Sequence, residues 1–188
     1  MGFSSADFQL QFDQGRPECS WLHVIEKDVG TVVAEFSGDI ATRIRQLFFD
    51  SLYNNHYFNC YSAVRFVAGR TKDRCWETFM PEQGNKLYVN DALQQFTIPF
   101  VFQICGLARI FDEQSKEEIM RHQVIHAGLI IGSDTNGIPV VLDKDCARNL
   151  HIRRWPSVEG QYFGSSYKEI RPEYVTCSEM MDLPWKAE

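Results

Sequence analysis

Asn59-Cys60-Tyr61-Ser62-Ala63-Val64-Arg65-Phe66-Val67-Ala68-Gly69 is the stretch around which the rest of this chain is organised. Asn59 is a helix cap by type, because its side-chain oxygen can accept from the free N–H groups one turn on. Ala63, Val64 and Val67 follow Cys60 at helical spacing and share one apolar stripe. Gly69 is a natural stop. The pattern predicts a short buried helix with a thiol in its first turn. At that position the positive end of the helix dipole favours thiolate over thiol, and the thiolate is the nucleophile. An arbitrary cysteine so placed is more often a small core residue. The functional reading therefore turns on what the rest of the chain supplies.

The chain has 188 residues, enough for one domain with a sizeable core, and 14 of them are Phe. No apolar run approaches the roughly 18 residues of a membrane span. A formal charge of −6 argues against a general nucleic-acid binder, which needs a basic face. The one local basic cluster is Arg148, His151, Arg153 and Arg154. The cysteines at 19, 60, 75, 105, 146 and 177 contain no CxxC pair, so neither a zinc site nor any other metal or cofactor is expected. Reduced thiols are the expectation for a cytosolic fold, and disulfides stay open for a protein working outside the cytoplasm. Met1-Gly2-Phe3-Ser4-Ser5 opens without a basic or apolar region, so no Sec-type signal peptide is read there.

Residues 1–19 are polar and read as a loosely ordered leader, with 20–188 as a single domain. Trp21–Ile25 and Thr31–Phe36 are short strands around Asp28-Val29-Gly30. Ser37-Gly38-Asp39 can cap a helix over 40–53 that buries Ile40, Ile44, Leu47, Phe48 and Leu52. Residues 53–58 break that pattern, and 70–89 read as a long loop. Asn90 or Asp91 can cap a short helix through Phe96. Ile98–Cys105 is a strand, and the charged Glu113–Met120 reads as an exposed helix. Val124–Gly132 is the strongest strand of the chain. A turn at 133–136 returns it as Ile138–Asp143, with further strands over 149–155 and 162–170 and coil after Pro172. The order is helices around the cysteine and then strands, an α+β plan.

A cysteine nucleophile needs a base, oriented in turn by a third polar group. His126 heads the strongest strand, where an imidazole is costly without partners. With a four-residue turn, Gly132 pairs with Gly137 and His126 falls opposite Asp143 on the same face of the sheet. A carboxylate there holds the tautomer and stabilises the imidazolium. His151, Asn149 and Asp145 are the alternatives for the third role, since a one-residue slip turns Asp143 away.

These residues resemble the NlpC-type branch of the papain-like cysteine peptidases. That family opens its helix with Asp-Cys-Ser-Gly-Phe-Val and its histidine strand with a form like His-Val-Gly-Ile-Tyr-Leu-Gly. The matching stretches here are Asn59–Val64 and His126-Ala127-Gly128-Leu129-Ile130-Ile131-Gly132, and Tyr162 to Pro172 is similar to the family's last strand. The likeness spans about residues 55–170. Asn59 stands where the family has Asp, Tyr61-Ser62 replaces Ser-Gly, and the third residue is Asp rather than the more common His.

The resemblance implies a papain-like fold, with the cysteine helix packed on an antiparallel sheet. It also implies hydrolysis of amide bonds in peptidoglycan peptides through a Cys60-His126-Asp143 triad and a thioester acyl-enzyme. The Cys60 backbone N–H would help hold the oxyanion, with Asn54, Asn55, His56 or Tyr57 as the second donor. Asn59, Tyr57 and Tyr61 are the residues expected beside the substrate. Without a signal peptide, the expectation is a protein cytoplasmic in its producer and exported by a secretion machine as an antibacterial effector, with a delivery or immunity protein as partner. Two other readings stay open. One is a papain-like protease, deamidase or acyltransferase acting on proteins. The other is an inactive α+β binding module.

Overall fold

The computed structural model describes residues 3–13, 18–49, 59–69, 88–112, 116–145, 149–163 and 168–176. In chain order the elements are β1 (Phe3–Ser4), β2 (Phe8–Phe12), β3 (Trp21–Glu26), β4 (Thr31–Ser37), α1 (Gly38–Phe49), α2 (Cys60–Ala68) and α3 (Val89–Gln95). They are followed by β5 (Phe100–Asp112), β6 (Glu117–Ser133), β7 (Pro139–Lys144), β8 (Leu150–Arg154), α4 (Trp155–Tyr162) and β9 (Lys168–Thr176). The fold is mixed α/β with two sheets. The small antiparallel sheet has the order β2-β3-β4. The large one has the order β1-β8-β7-β6-β5-β9, antiparallel throughout except for the two-residue β1, which pairs parallel to β8.

The large sheet is covered on both faces. One face carries Val101, Cys105, Val124, Ala127, Leu129, Leu142 and Ile152 into a core shared with α1, α2 and the small sheet. The other carries Phe100, Phe102, Ile104, Ile130, Val141 and Tyr174 against α3 and α4. Every residue of β7 is buried for this reason, so the strand lacks the apolar–polar alternation of a half-solvated sheet. At Gly132 an added Cβ would lie 2.1 Å from the Val33 carbonyl oxygen, so only a glycine lets β4 cross β6 this closely.

Several expectations from sequence are met: the strands expected at 21–25 and 31–36 are β3 and β4, the helix expected after Ser37-Gly38-Asp39 is α1, and the helix expected after Asn59 is α2. Others are corrected. The segment read as a loose leader contributes β1 and β2, and Phe8 lies fully in the core beside Leu22 and Val24. Its alternating Phe8-Gln9-Leu10-Gln11-Phe12 is a strand pattern completed by pairing with β3. Glu117–Met120 is strand, not helix, because the β5–β6 hairpin runs out into solvent and its charged residues need no amphipathic helix to be solvated. Tyr162 ends α4 rather than starting a strand, and the residues after Pro172 continue β9 to Thr176. The expected break at 53–58, most of the loop over 70–89, Tyr57 with the other second oxyanion candidates, Arg148, and the cysteines at 75, 146 and 177 lie outside the described residues.

Candidate active site

Cys60 is the first residue of α2. Asn59 Oδ1 accepts from the Ser62 backbone N–H at 2.9 Å and from the Ser62 hydroxyl at 3.0 Å, the capping arrangement expected from its type. Gly69 closes the helix in the left-handed region, at φ 97°, its N–H directed at the Arg65 and Phe66 carbonyls. The Tyr61 hydroxyl donates to the Val124 carbonyl at 2.7 Å, which ties the start of α2 to β6 two residues before His126. Asn59 and Tyr61, expected beside the substrate, are both buried and spend these polar atoms on seating the helix. Cys60 itself is 3% exposed. Cys19, Cys60 and Cys105 are not in disulfides.

His126 and Asp143 are brought together, by a register different from the one the turn count predicts. The loop is longer, with Ser133 paired to Pro139 and Asp134 Oδ1 accepting from the N–H groups of Asn136 and Ile138. Continued without interruption, that ladder would set Asp143 opposite Leu129, on the face packed by α2. A bulge between Ile130 and Gly132 adds one residue to β6 and moves Asp143 opposite Gly128 instead. This restores it to the face of His126, one diagonal step away. His126 Nε2 lies 2.9 Å from Asp143 Oδ2, with both side chains fully buried. Gly128 makes the step possible: a Cβ there would lie 2.8 Å from Asp143 Cβ and 2.6 Å from the Phe102 ring.

Asp143 has a second, half-buried partner that the sequence alone does not point to. Arg153, on the next strand, donates from Nε to Oδ1 at 3.1 Å and from Nη2 to Oδ2. Burial alone would raise the carboxyl pKa of Asp143. The His126 and Arg153 contacts outweigh it and hold the group below the usual carboxylate range. The fallback residues form a separate pair: His151 Nε2 lies 3.1 Å from Asp145 Oδ2, which holds Asp145 at about 2 and raises His151. Asn149 is exposed. The expected basic cluster is neutralised where it is described. Arg153 also faces Asp145, and Arg154 donates to Asp7, Glu26 and Asp134 at 2.6 Å each.

Tyr162 is the functional neighbour that sequence reasoning missed. Its ring stacks on the His126 imidazole, with centroids 4.3 Å apart and planes 15° from parallel. Trp155, Val158 and Tyr162 stand at helical spacing after Arg154, with Pro156 near the helix start, and that signal could have found α4. Burial pushes the Tyr162 phenol well up, and the charges of Asp143, Asp145 and Cys60 push it further. The apolar stripe of α2 and the imidazole belong to opposite layers of the sheet. His126 itself lies beyond the β6–β7 pairing, which begins at Gly128 and Asp143.

The imidazole is only half used. Nε2 serves Asp143, while Nδ1 is buried and has no hydrogen-bond partner among the described residues. A buried unsatisfied nitrogen of this kind is costly unless it has a chemical task. Among the described residues no cluster of three or more His, Cys, Asp or Glu side chains could hold a metal ion, and no helix is long and apolar enough to cross a membrane. No protein-family model, curated protein or solved structure matches the chain.

Proposed function

We propose that this chain is a cysteine hydrolase of amide bonds, with Cys60 as nucleophile, His126 as base and Asp143 as the group that orients the base. The observation that carries the reading is the imidazole with one nitrogen held by a carboxylate and the other buried and unpartnered. Asp143 accepts a hydrogen bond from the Nε2–H, which leaves the lone pair on Nδ1. That nitrogen takes the Cys60 proton, and the thiolate attacks the amide carbonyl. The Cys60 N–H, in the first turn of α2, helps hold the oxyanion. The imidazolium returns its proton to the leaving amine as the C–N bond breaks. Water, deprotonated by the same nitrogen, then cleaves the thioester and restores the thiol. Tyr162 stays a neutral phenol and shields the imidazole from solvent by stacking on it.

The substrate class comes from the sequence likeness: a peptidoglycan peptide, met by an exported effector that has a delivery or immunity partner. A protein substrate is the second reading. It is favoured by Asn59 and Tyr61, which depart from the likeness and are committed to seating α2.

The test is alkylation by iodoacetamide at neutral pH, read site by site by mass spectrometry. Cys19 is the slow internal control, since burial and then its Asp13 neighbour push its thiol up to about 11. Cys60 should react ahead of Cys19 and Cys105, and His126→Gln should remove that advantage. Labelling of Cys60 no faster than Cys105 leaves the inactive binding module as the reading. With a reactive Cys60, new amine termini released from purified peptidoglycan identify the wall substrate, and their absence favours a protein one.

A further inference from the structure

Away from the Cys60–His126 pair, a cavity of about 320 Å³ opens between the start of α3, the outer side of α4 and β9. Its walls include Tyr88, Trp155, Glu159, Phe163, Pro172 and Tyr174. Two of the rings are kept at the surface: Tyr88 is 83% exposed and Phe163 39%. Trp155 and Tyr174 form the buried floor, with ring centroids 6.3 Å apart.

Two polar features of the cavity point to a ligand. The Trp155 indole N–H donates to Glu159 Oε1 at 2.7 Å, which fixes the carboxylate at the wall. Its second oxygen takes no hydrogen bond among the described residues. The Tyr174 side chain is fully buried, yet its hydroxyl has no hydrogen-bond partner among the described residues. Burial and the nearby Glu159 charge raise its pKa, so it stays a donor in need of an acceptor. Among the described residues no basic side chain lines the cavity, and Glu159 is the one charged residue there. Aromatic faces with one carboxylate attract a cation rather than an anion, and the volume is that of a small-molecule site.

We propose that this cavity binds an organic cation, a substituted ammonium carrying a hydrogen-bond acceptor such as an ester or amide oxygen a few atoms away. The ammonium lies among the rings against Glu159, and the acceptor takes the Tyr174 hydroxyl. The site is independent of the proposed thiol chemistry. The same recognition serves a free small cation or a methylated lysine on a protein.

Titration calorimetry on the full chain tests it with three probes: acetylcholine, N-acetyl-trimethyl-lysine methylamide, and 3,3-dimethylbutyl acetate, the neutral isostere of acetylcholine. At least one cationic probe should bind about tenfold or more tightly than the isostere, and the tighter of the two cations identifies the source. Glu159→Gln keeps an oxygen for Trp155 but removes the charge. It should weaken the cation about tenfold and leave the isostere unchanged. Tyr174→Phe should weaken all oxygen-bearing probes alike by a few fold while leaving the circular dichroism spectrum as it was. The proposal is overturned if the isostere binds as well as the cations, if Glu159→Gln changes nothing, or if no probe gives heat up to about 10 mM, a concentration weaker than any useful site.

Discussion

Removing the Asp143 carboxylate should unfold this protein more readily than any single change at Cys60. Asp143 is only 1% exposed and holds two cationic or proton-donating partners, His126 and Arg153. Asp143→Ala leaves the Arg153 guanidinium without its counter-charge and the His126 Nε2–H without an acceptor. Breaking a buried ion pair from one side costs about 3–5 kcal/mol. Arg153 keeps 18% of its side chain in solvent, so the lower end, about 3 kcal/mol, is expected. With a urea slope of about 2–3 kcal/mol/M for a chain of this size, the midpoint should fall by roughly 1–1.5 M, read by tryptophan fluorescence. Asp143→Ala combined with Arg153→Met removes both charges and should recover much of that loss, because no buried cation is left unpaired.

The pH dependence has a definite sign. The folded pKa of Asp143 is lowered below its unfolded value of about 3.9, so its contribution is fully present above about pH 4. It is lost as pH falls through the lower folded value. The gap between wild type and Asp143→Ala should therefore be constant from about pH 5 to 7 and close on acidification. A midpoint shift under about 0.3 M, or a double variant no more stable than the single one, would refute the assignment of Asp143 as a buried counter-ion.

Two further changes test how the site is built. Gly128→Ala places a methyl group 2.6 Å from the Phe102 ring and 2.8 Å from Asp143 Cβ. It should lower stability by about 1–3 kcal/mol in a thermal melt and displace the His126 ring resonances in NMR spectra, and an unshifted His126 signal would speak against the diagonal geometry. Asn59→Ala removes the α2 cap and should cost about 1 kcal/mol in urea, with Asn59→Ser recovering most of it, whereas equal losses in both would mean that Asn59 acts other than as a cap.

The helix over 60–68 was legible because everything that makes it is local. Asn59 caps it, Gly69 ends it, and the spacing of Ala63, Val64 and Val67 sets its buried stripe. β6 was legible for the same reason, as an apolar run bounded by a turn. That His126 finds its partner on the returning strand also followed from parity along a hairpin.

The particular pairing did not. One extra residue in the turn and one bulge at Ile131 each reverse which face Asp143 takes, and only together do they leave it beside His126. A bulge is decided by how β6 packs against β4 and β7, where Gly132 meets the Val33 carbonyl, and no local signal marks it. Arg153 and Tyr162 joined the site from a neighbouring strand and from the helix after it, across contacts no sequence window spans. The amino-acid sequence by itself determined a capped helix bearing Cys60 and a strand bearing His126, since short-range hydrogen bonding and periodicity suffice for both. Tertiary structure decided which face each side chain takes and what it touches there, because strand register and layer packing are settled by long-range burial.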